Sequence, residues 1–210
     1  MKKKLLYLSG ILTLVVVLFI LPLNQYKSEN SNSNLKAEKI KPTTYNNRLG
    51  EIKPTISEAH AKTDSYENLA QLIEDSPLIV RGIKVFEEEP SIIRDEEGYL
   101  MNTFTISGFK ITKIYKNTTN KELNQNNTIK ISEFSALDKE NNIIYQINEY
   151  ELMEKNEQYI LFLRPSTDVN ADHYFTKGIT FGKVGVKNED KKLDSFIRNI
   201  HKEARVKFNK

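Results

Sequence analysis

The stretch "EQYILFLRP", Glu157–Pro165, places five large apolar residues in a row within a chain rich in Lys, Asn and Glu. Side chains alternate along a strand, so Leu161 and Phe162 would point to opposite faces. Apolar residues on both faces predict a strand covered by the sheet interior on one side and by a helix on the other. The run is far too short to cross a bilayer as a helix. The residues predicted to be structural core are Tyr159, Leu161, Phe162 and Leu163.

Two earlier segments predict long strands that are bent at glycines. Residues 77–89, "PLIVRGIKVFEEE", are rich in β-branched residues, and Gly82 within them indicates a bulge or a close backbone approach. In residues 99–116, "YLMNTFTISGFKITKIYK", the apolar alternation changes phase at Ser107 and Gly108, which predicts one inserted residue. The apolar residues assigned to the buried face are Phe104, Ile106, Phe109 and Ile111. Long strands broken by glycine bulges are typical of small, coiled barrels.

Two amphipathic segments predict helices that flank these strands. Asp64 followed by Glu67 resembles a capping box, and apolar residues then recur with helical spacing. Residues 189–208 contain a second apolar stripe. The residues expected to pack that last helix on the strands are Phe196, Ile197 and Ile200. The predicted fold is mainly β: a small, coiled, antiparallel β-barrel flanked by an N-terminal and a C-terminal helix.

The order of these segments carries a resemblance to a known type of domain. "DSPLIVRGIKV", "ITKIYKN", "TIKISEF", "EKNEQYILFLRP" and "HYFTKGITFGKVGV" follow one another over about residues 76–187. This succession resembles a group of exported bacterial β-barrel domains, which are similar in outline to netrin and oligonucleotide/oligosaccharide-binding (OB) barrels. The resembling residues belong to core and turns. The resemblance therefore implies a fold and no site residue.

The first part of the sequence predicts a membrane anchor and a linker. Residues 1–4 contain three lysines, and residues 5–23 are nineteen residues without a charge, enough to span a bilayer. No Ala-x-Ala-like cleavage site follows, which favours an uncleaved, single-pass signal anchor with the basic N-terminus in the cytoplasm. The alternative is a cleaved signal and secretion. Residues 24–62 are rich in Asn, Ser and Lys and are expected to form a flexible linker before a folded domain at 63–210.

Residue types exclude several kinds of chemistry. The chain has no cysteine, which excludes disulfides, thiolate zinc sites, a Cys nucleophile and a lipid-anchored N-terminal Cys. It has three histidines, none spaced as a metal ligand on a helix face, and no phosphate-binding glycine motif or nucleophile elbow. No cofactor and no catalytic residue is predicted.

One loop partly matches a calcium-binding pattern. Asp168, Asn170 and Asp172 alternate like the first three oxygen ligands of a calcium loop. Position six is His173 instead of Gly, and position twelve is Ile179 instead of Glu. The alternative is a polar turn, for which Asp and Asn are favoured.

The end of the sequence is basic. Residues 191–210 contain seven Lys or Arg and two Asp or Glu, a net charge of +5. Lys202, Arg205 and Lys207 are candidates for binding an anionic envelope polymer or lipid headgroups. The alternative is a solvated face whose charges pair with acidic groups of the barrel. Nucleic acid is not an expected partner, because the domain is placed outside the cytoplasm.

These features predict a membrane-tethered, extracytoplasmic binding or protein-interaction module of the bacterial cell envelope. One alternative is an enzyme whose site is assembled from scattered polar residues such as Glu133, Asp172 and His173. Another is an inhibitory or structural barrel that acts on a partner protein.

Overall fold

The computed structural model describes residues 53–168, 170–187 and 191–208. The predicted basic N-terminus, the anchor at 5–23 and the greater part of the linker lie outside the described residues. Within those three ranges, neither helix has the length and apolar character needed to cross a membrane.

The described part is mainly β, with ten strands and two helices. The strands are β1 (Thr55–Ala59), β2 (Leu78–Glu87), β3 (Ser91–Arg94), β4 (Leu100–Asn117), β5 (Thr128–Glu133), β6 (Ser135–Asp138), β7 (Ile143–Ile147), β8 (Gln158–Pro165), β9 (Tyr174–Thr176) and β10 (Lys183–Gly185). The helices are α1 (Leu69–Asp75) and α2 (Ser195–Phe208).

Five of the strands form a closed ring. The order β8-β2-β4-β5-β9 closes because β9 also pairs with β8. The pairs are antiparallel except for β5 with β9, which is parallel, so the expectation of a wholly antiparallel arrangement is wrong at that point. β10 extends the sheet beside β8, and β3 forms a hairpin with the first part of β4. A separate sheet has the order β1-β7-β6.

Strand β8 is covered on both faces. Leu161 and Leu163 are buried in the cluster that fills the ring, together with residues of β2, β4 and β5. Phe162 is buried in a second cluster, which contains residues of α1 and α2. Tyr159 is only partly buried. The apolar run of β8 therefore packs on the ring interior with one face and on the helical layer with the other.

Helix α1 begins later than the capping pattern predicts. Its cap is Asn68, whose side chain accepts a hydrogen bond from Gln71 N at 3.1 Å. Asp64, the predicted cap, instead pairs with Lys177 Nζ at 3.0 Å. The capping-box assignment is therefore wrong. The residues between them are not helical, and Tyr66 among them is buried in the core.

Helix α2 packs through a face that differs from the predicted one. Ile200, His201, Ala204 and Phe208 are buried, and Ile197 is partly buried against the same cluster. Phe196 is 47% exposed, so its assignment to the contact face is wrong. Two residues four positions apart differ in direction by about 40° around a helix. Phe196 is eight positions before Ala204, so it lies about 80° from the centre of the buried face, at the edge of that face.

The change of phase predicted at Ser107 and Gly108 of β4 does not occur there. The buried side chains that alternate along β4 through this point are those of Thr103, Thr105, Ser107, Phe109 and Ile111. All are odd-numbered, and the pairing of β4 with β5 runs without a shift through Ser107 and Gly108. Phe104 and Ile106 are half-buried on the other face, so their assignment to the core face is wrong. The inward face changes from polar to apolar without changing orientation.

The register irregularities of the ring lie between β2 and β4. The register shifts between Lys84 and Phe86, opposite Gly108, and again between Arg81 and Gly82. A Cβ atom on Gly82 would lie 2.3 Å from the carbonyl oxygen of Lys110, so of the two alternatives predicted at Gly82 the close backbone approach is confirmed.

Candidate functional site

One end of the ring interior is polar. Lys84 of β2 is 1% exposed, and Ser107 of β4, Glu133 of β5 and Tyr150 are fully buried. We call these four residues the buried polar cluster. Lys84 shares its inward orientation with Leu78 of the same strand, because the two are an even number of residues apart. That spacing is a signal in the sequence that could have indicated a buried lysine.

The carboxylate of Glu133 is the centre of this cluster. Its Oε1 accepts hydrogen bonds from Lys84 Nζ at 3.1 Å and from Ser107 Oγ. Its Oε2 accepts from Tyr150 OH at 3.2 Å and from Met153 N at 2.7 Å. Burial, with the negative charge of Glu133 next to it, raises the pKa of Tyr150 well above its ordinary value, so the phenol remains a donor. Four donors on one carboxylate are the arrangement that a buried charge requires.

The cluster also fixes the connection between β7 and β8. Met153, whose N–H binds Glu133, and Tyr150 both belong to this connection. At its other end, Asn156 N donates to the carbonyl oxygen of Lys84 at 2.8 Å, and Lys84 N donates to Glu157 O at 3.4 Å. The residues between Tyr150 and Glu157 are therefore held from two sides.

The fixed connection forms one side of an open cleft with a volume of about 300 Å³. The other sides are formed by β10, by the residues that follow it, by Lys191 and Lys192 before α2, and by His201 of α2. The lining residues are Glu151, Leu152, Glu154, Glu157, Gln158, Tyr159, Lys183, Gly185, Val186, Lys187, Lys191, Lys192 and His201.

Lysines give the cleft its chemical character. Lys192 forms an ion pair with Glu151, and Lys183 Nζ donates to the carbonyl oxygen of the same residue. Lys183 Nζ also lies 4.1 Å from the ring centroid of Tyr150, which connects the cleft to the buried polar cluster. Lys187 and Lys191 are exposed and form no ion pair with another residue of the described ranges. Two ammonium groups at the cleft are thus in reach of an anionic ligand.

Tyr159 contributes a hydroxyl group to the cleft in addition to its packing. Its OH accepts a hydrogen bond from Glu154 N at 2.8 Å. Burial raises the pKa of Tyr159 to about 12, which keeps the phenol protonated and able to donate near neutral pH. The predicted core residue is therefore also a polar residue of the cleft.

His201 lies at the inner side of the cleft and is 3% exposed. Its Nε2 is 3.1 Å from Thr180 O and 3.2 Å from Phe181 O. Two carbonyl acceptors require a donor, so Nε2 carries the proton of the neutral ring. Burial lowers the pKa of His201 to about 4. The ring is therefore neutral at physiological pH.

A second, smaller cavity of about 240 Å³ has a more acidic lining that includes Glu58, His60, Glu149 and Asp194. Among residues 53–168, 170–187 and 191–208, no group of three or more His, Asp or Glu side chains is placed to hold a metal ion. No set of metal ligands is therefore found in this cavity among the described residues.

The residues of the partial calcium pattern serve local contacts. Asp168 Oδ1 accepts from Asn170 N at 2.9 Å within the turn. Asp172 forms an ion pair with Lys121. The contacts described for Asp172 and His173 do not include Glu133, which lies in the buried polar cluster. The three residues of the predicted enzyme alternative are therefore not joined in one site.

The basic residues of α2 do not share one face. Arg205 is partly buried, and its Nη1 donates to Gly185 O at 3.4 Å. Lys202 and Lys207 are exposed, but five residues at about 100° each place them about 140° apart around the helix. The three residues predicted to bind an anionic surface therefore point in different directions around α2.

A scan against models of known protein families finds no match for this chain, and a search of curated proteins finds none either.

Proposed function

We propose that this chain is a membrane-tethered, extracytoplasmic binding module of the bacterial cell envelope, with a small coiled β-barrel of OB or netrin outline as its folded part. The closed ring of five strands supports the barrel. The charge-free residues 5–23 and the polar linker after them support the anchor and the tether.

The cleft between the β7–β8 connection and β10 is the proposed ligand site. The observation that carries this assignment is the juxtaposition of a fixed connection with exposed lysines. The side chain of Glu133 and the backbone of Lys84 hold the backbone of that connection. A site that is already ordered loses less conformational entropy when a ligand binds.

The chemistry of the cleft favours an anionic ligand. Its lining contains more lysines than carboxylates, and Glu151 is already paired with Lys192. Lys187 and Lys191 are then positioned to attract phosphate or carboxylate groups as point charges. The proposed ligand class is an anionic polymer of the envelope, and its binding weakens as salt screens these charges.

The burial of the polar cluster supports binding over catalysis. A general base has to come within hydrogen-bonding distance of the substrate proton. Ser107 and Glu133 are fully buried, and neither belongs to the lining of the two cavities described above. The cluster therefore acts as a support for the cleft.

The test uses the full chain in a nonionic detergent, with poly(glycerol phosphate) as the probe. The double variant Lys187→Gln with Lys191→Gln is compared with the matched control Lys202→Gln with Lys207→Gln, which removes the same charge from α2. We expect the cleft variant to bind about tenfold more weakly, equivalent to about 1.4 kcal/mol, and the control to bind like the parent. Unfolding midpoints stay nearly constant in both, because exposed charges contribute little to stability.

Two outcomes would contradict the proposal. If the parent chain does not bind the polymer at low salt, the anionic ligand class is wrong. If the α2 variant loses binding and the cleft variant keeps it, the basic helix is the binding surface.

A role against a partner protein is the second candidate, and the β3–β4 hairpin favours it. Tyr99 and Met101 are 73% and 67% exposed at its turn end. Exposed aromatic and methionine side chains are enriched in protein interfaces.

A further inference from the structure

Both partners of the ion pair between Lys84 and Glu133 are buried. Lys84 is 1% exposed, Glu133 is fully buried, and Lys84 Nζ lies 3.1 Å from Glu133 Oε1. The buried Lys177 differs, because the side chains of its partners Asp64 and Asp75 are more than half exposed. In the ring interior, an amine and a carboxyl group are therefore held in contact and away from water.

Burial makes the uncharged form of this pair accessible. Separate charges are costly in an environment of low dielectric, and transfer of a proton between the partners removes both charges. The hydrogen bond from Lys84 Nζ to Glu133 Oε1 is the path for that transfer, which gives a neutral amine and a carboxylic acid. A neutral amine is a nucleophile, and desolvation is one of the ways in which proteins activate a lysine.

The second oxygen of the Glu133 carboxyl group has donors of its own. Tyr150 OH donates to Oε2 at 3.2 Å, and Met153 N donates to the same atom at 2.7 Å. When a nucleophile attacks Cδ of a carboxyl group, negative charge develops on the oxygen that stays bound. Two fixed donors at that oxygen stabilise the charge in the manner of an oxyanion hole.

A second carboxylate contacts the amine. Glu87 Oε2 lies 2.5 Å from Lys84 Nζ, and its side chain is 42% exposed. A group at hydrogen-bonding distance from the reacting atom is placed to act as general base and general acid. Glu87 therefore joins the buried amine to the solvent.

We propose that Lys84 and Glu133 react to form an intramolecular amide bond. The bond between Nζ and Cδ forms, and the bond between Cδ and Oε1 breaks. Glu87 takes a proton from Nζ and gives it to Oε1, which already carries the proton first transferred from Nζ, so Oε1 leaves as water. The reaction consumes one ammonium and one carboxylate, and it requires no oxidant, reductant or further reactant. Contact between the two groups in the fold replaces a bimolecular encounter.

The amide bond would change what holds the ring together. The ion pair in the structure is the state before reaction, and the product joins β2 covalently to β5, the two strands that flank β4. Loss of two buried charges favours the product. The reaction takes place between residues of one chain, so it needs no access for a substrate. It is also independent of a ligand in the cleft.

The experiment follows the full chain during cell-free synthesis in a nonionic detergent. Samples taken over time are denatured, digested with trypsin and analysed by tandem mass spectrometry. Trypsin does not cleave after an acylated lysine, so the bond joins Gly82–Arg94 to Ile131–Lys139 in one branched product. We call this product the linked peptide. Its mass is the sum of the two peptides less one water molecule.

Three variants accompany the parent chain. Lys84→Met removes the amine, and the linked peptide is absent. Lys110→Met removes an exposed lysine of β4 as a matched control, and the linked peptide forms as in the parent. Glu87→Gln keeps the size of a partly exposed side chain but cannot relay a proton, so the bond forms about 100-fold more slowly. Cooperative unfolding in urea shows that each variant is folded.

Three results would overturn the proposal. The first is a folded parent chain that gives only the separate peptides, with cleavage after Lys84, at all times. The second is a product of the same linkage in the Lys84→Met chain. The third is formation of the linked peptide in Glu87→Gln at the rate of the parent, which would refute the proton relay through Glu87.

Discussion

The two ends of the ring interior differ in polarity, although the same strands form both. At one end, Val80 of β2, Phe109 of β4 and Leu161 of β8 are fully buried in an apolar cluster. At the other end, Lys84 of β2 and Ser107 of β4 are also buried and point inward, but they contact Glu133. Burial in this ring follows the position of a residue along the strand and not its polarity.

The difference shows what each end needs in order to be stable. The apolar end is stabilised by close packing and by removal of apolar surface from water. The polar end depends on complete hydrogen bonding, because a buried charge without partners is strongly unfavourable. Removing one side chain should therefore have different consequences at the two ends.

The largest expected effect is at the polar end. Glu133→Ala leaves Lys84 buried with only the partly exposed Glu87 as a partner, and it should lower the free energy of unfolding by about 3–5 kcal/mol. Replacing both charges, Lys84→Met with Glu133→Leu, should be less destabilising than Glu133→Ala, because no unpaired charge remains, although Ser107, Tyr150 and Met153 N still lose their acceptor. Denaturant unfolding measures both. Equal losses in the single and double variants would show that the charges do not stabilise each other.

The apolar faces of β8 should respond in a different way. Leu161→Ala creates a cavity in the ring and Phe162→Ala creates one beneath the helices, so each should cost about 2–5 kcal/mol. No second substitution should rescue either loss, in contrast to the polar end. Unfolding in urea gives the values, and a loss under about 1 kcal/mol at both positions would contradict a strand covered on both faces.

A smaller effect is expected from His201, a buried polar side chain outside the ring. Its pKa in the folded state, about 4, lies below its ordinary value of 6.5, so the unfolded chain binds the proton first as the pH falls. The stabilisation by the neutral ring is complete above pH 6.5 and is lost as the pH falls from 6.5 toward 4. Between pH 7 and pH 5 the free energy of unfolding should fall by about 2 kcal/mol from this group.

The control for this effect is His201→Gln, which keeps a donor but cannot titrate. The difference in pH dependence between the parent chain and this variant isolates the contribution of His201, even if the variant is less stable at every pH. Burial also lowers the pKa of His173. His173→Gln removes that second titrating ring and is the matched variant with which His201→Gln is compared. Parallel stability curves for the parent and His201→Gln between pH 7 and pH 5 would contradict the assignment.

The sequence by itself determined the features that depend on neighbouring residues. The apolar run of β8 predicts a strand with two buried faces, because strand geometry sends adjacent side chains to opposite sides. Gly82 predicts a close approach of backbones, since other residues carry a Cβ atom there. The basic composition of α2 is likewise visible in the sequence, although its three candidate cations lie in different directions on the helix.

The sequence shows the residue types that line the cleft, but it does not show that they lie together. Lys187, Lys191 and the carboxylates of residues 151–157 are visible in the sequence, but nothing local indicates that β10 returns beside β8. The contacts of Glu133 with Lys84 and Met153 join residues 49 and 20 positions apart along the chain. Contacts at such separation arise from chain topology, which local periodicity does not encode.

Only the tertiary structure decided which residues face the ring interior and which remain exposed. In β4, Phe104 and Ile106 are more apolar than Thr105 and Ser107, yet the latter point inward, because strand orientation cannot change without an inserted residue. Tertiary packing also decided the cap of α1, through Tyr66, which is buried before the helix begins. It likewise decided the exposure of Phe196, because α2 packs on the core through the face that contains Ile200. Local sequence fixes the period of an element, whereas closure of the ring and docking of the helices fix its phase.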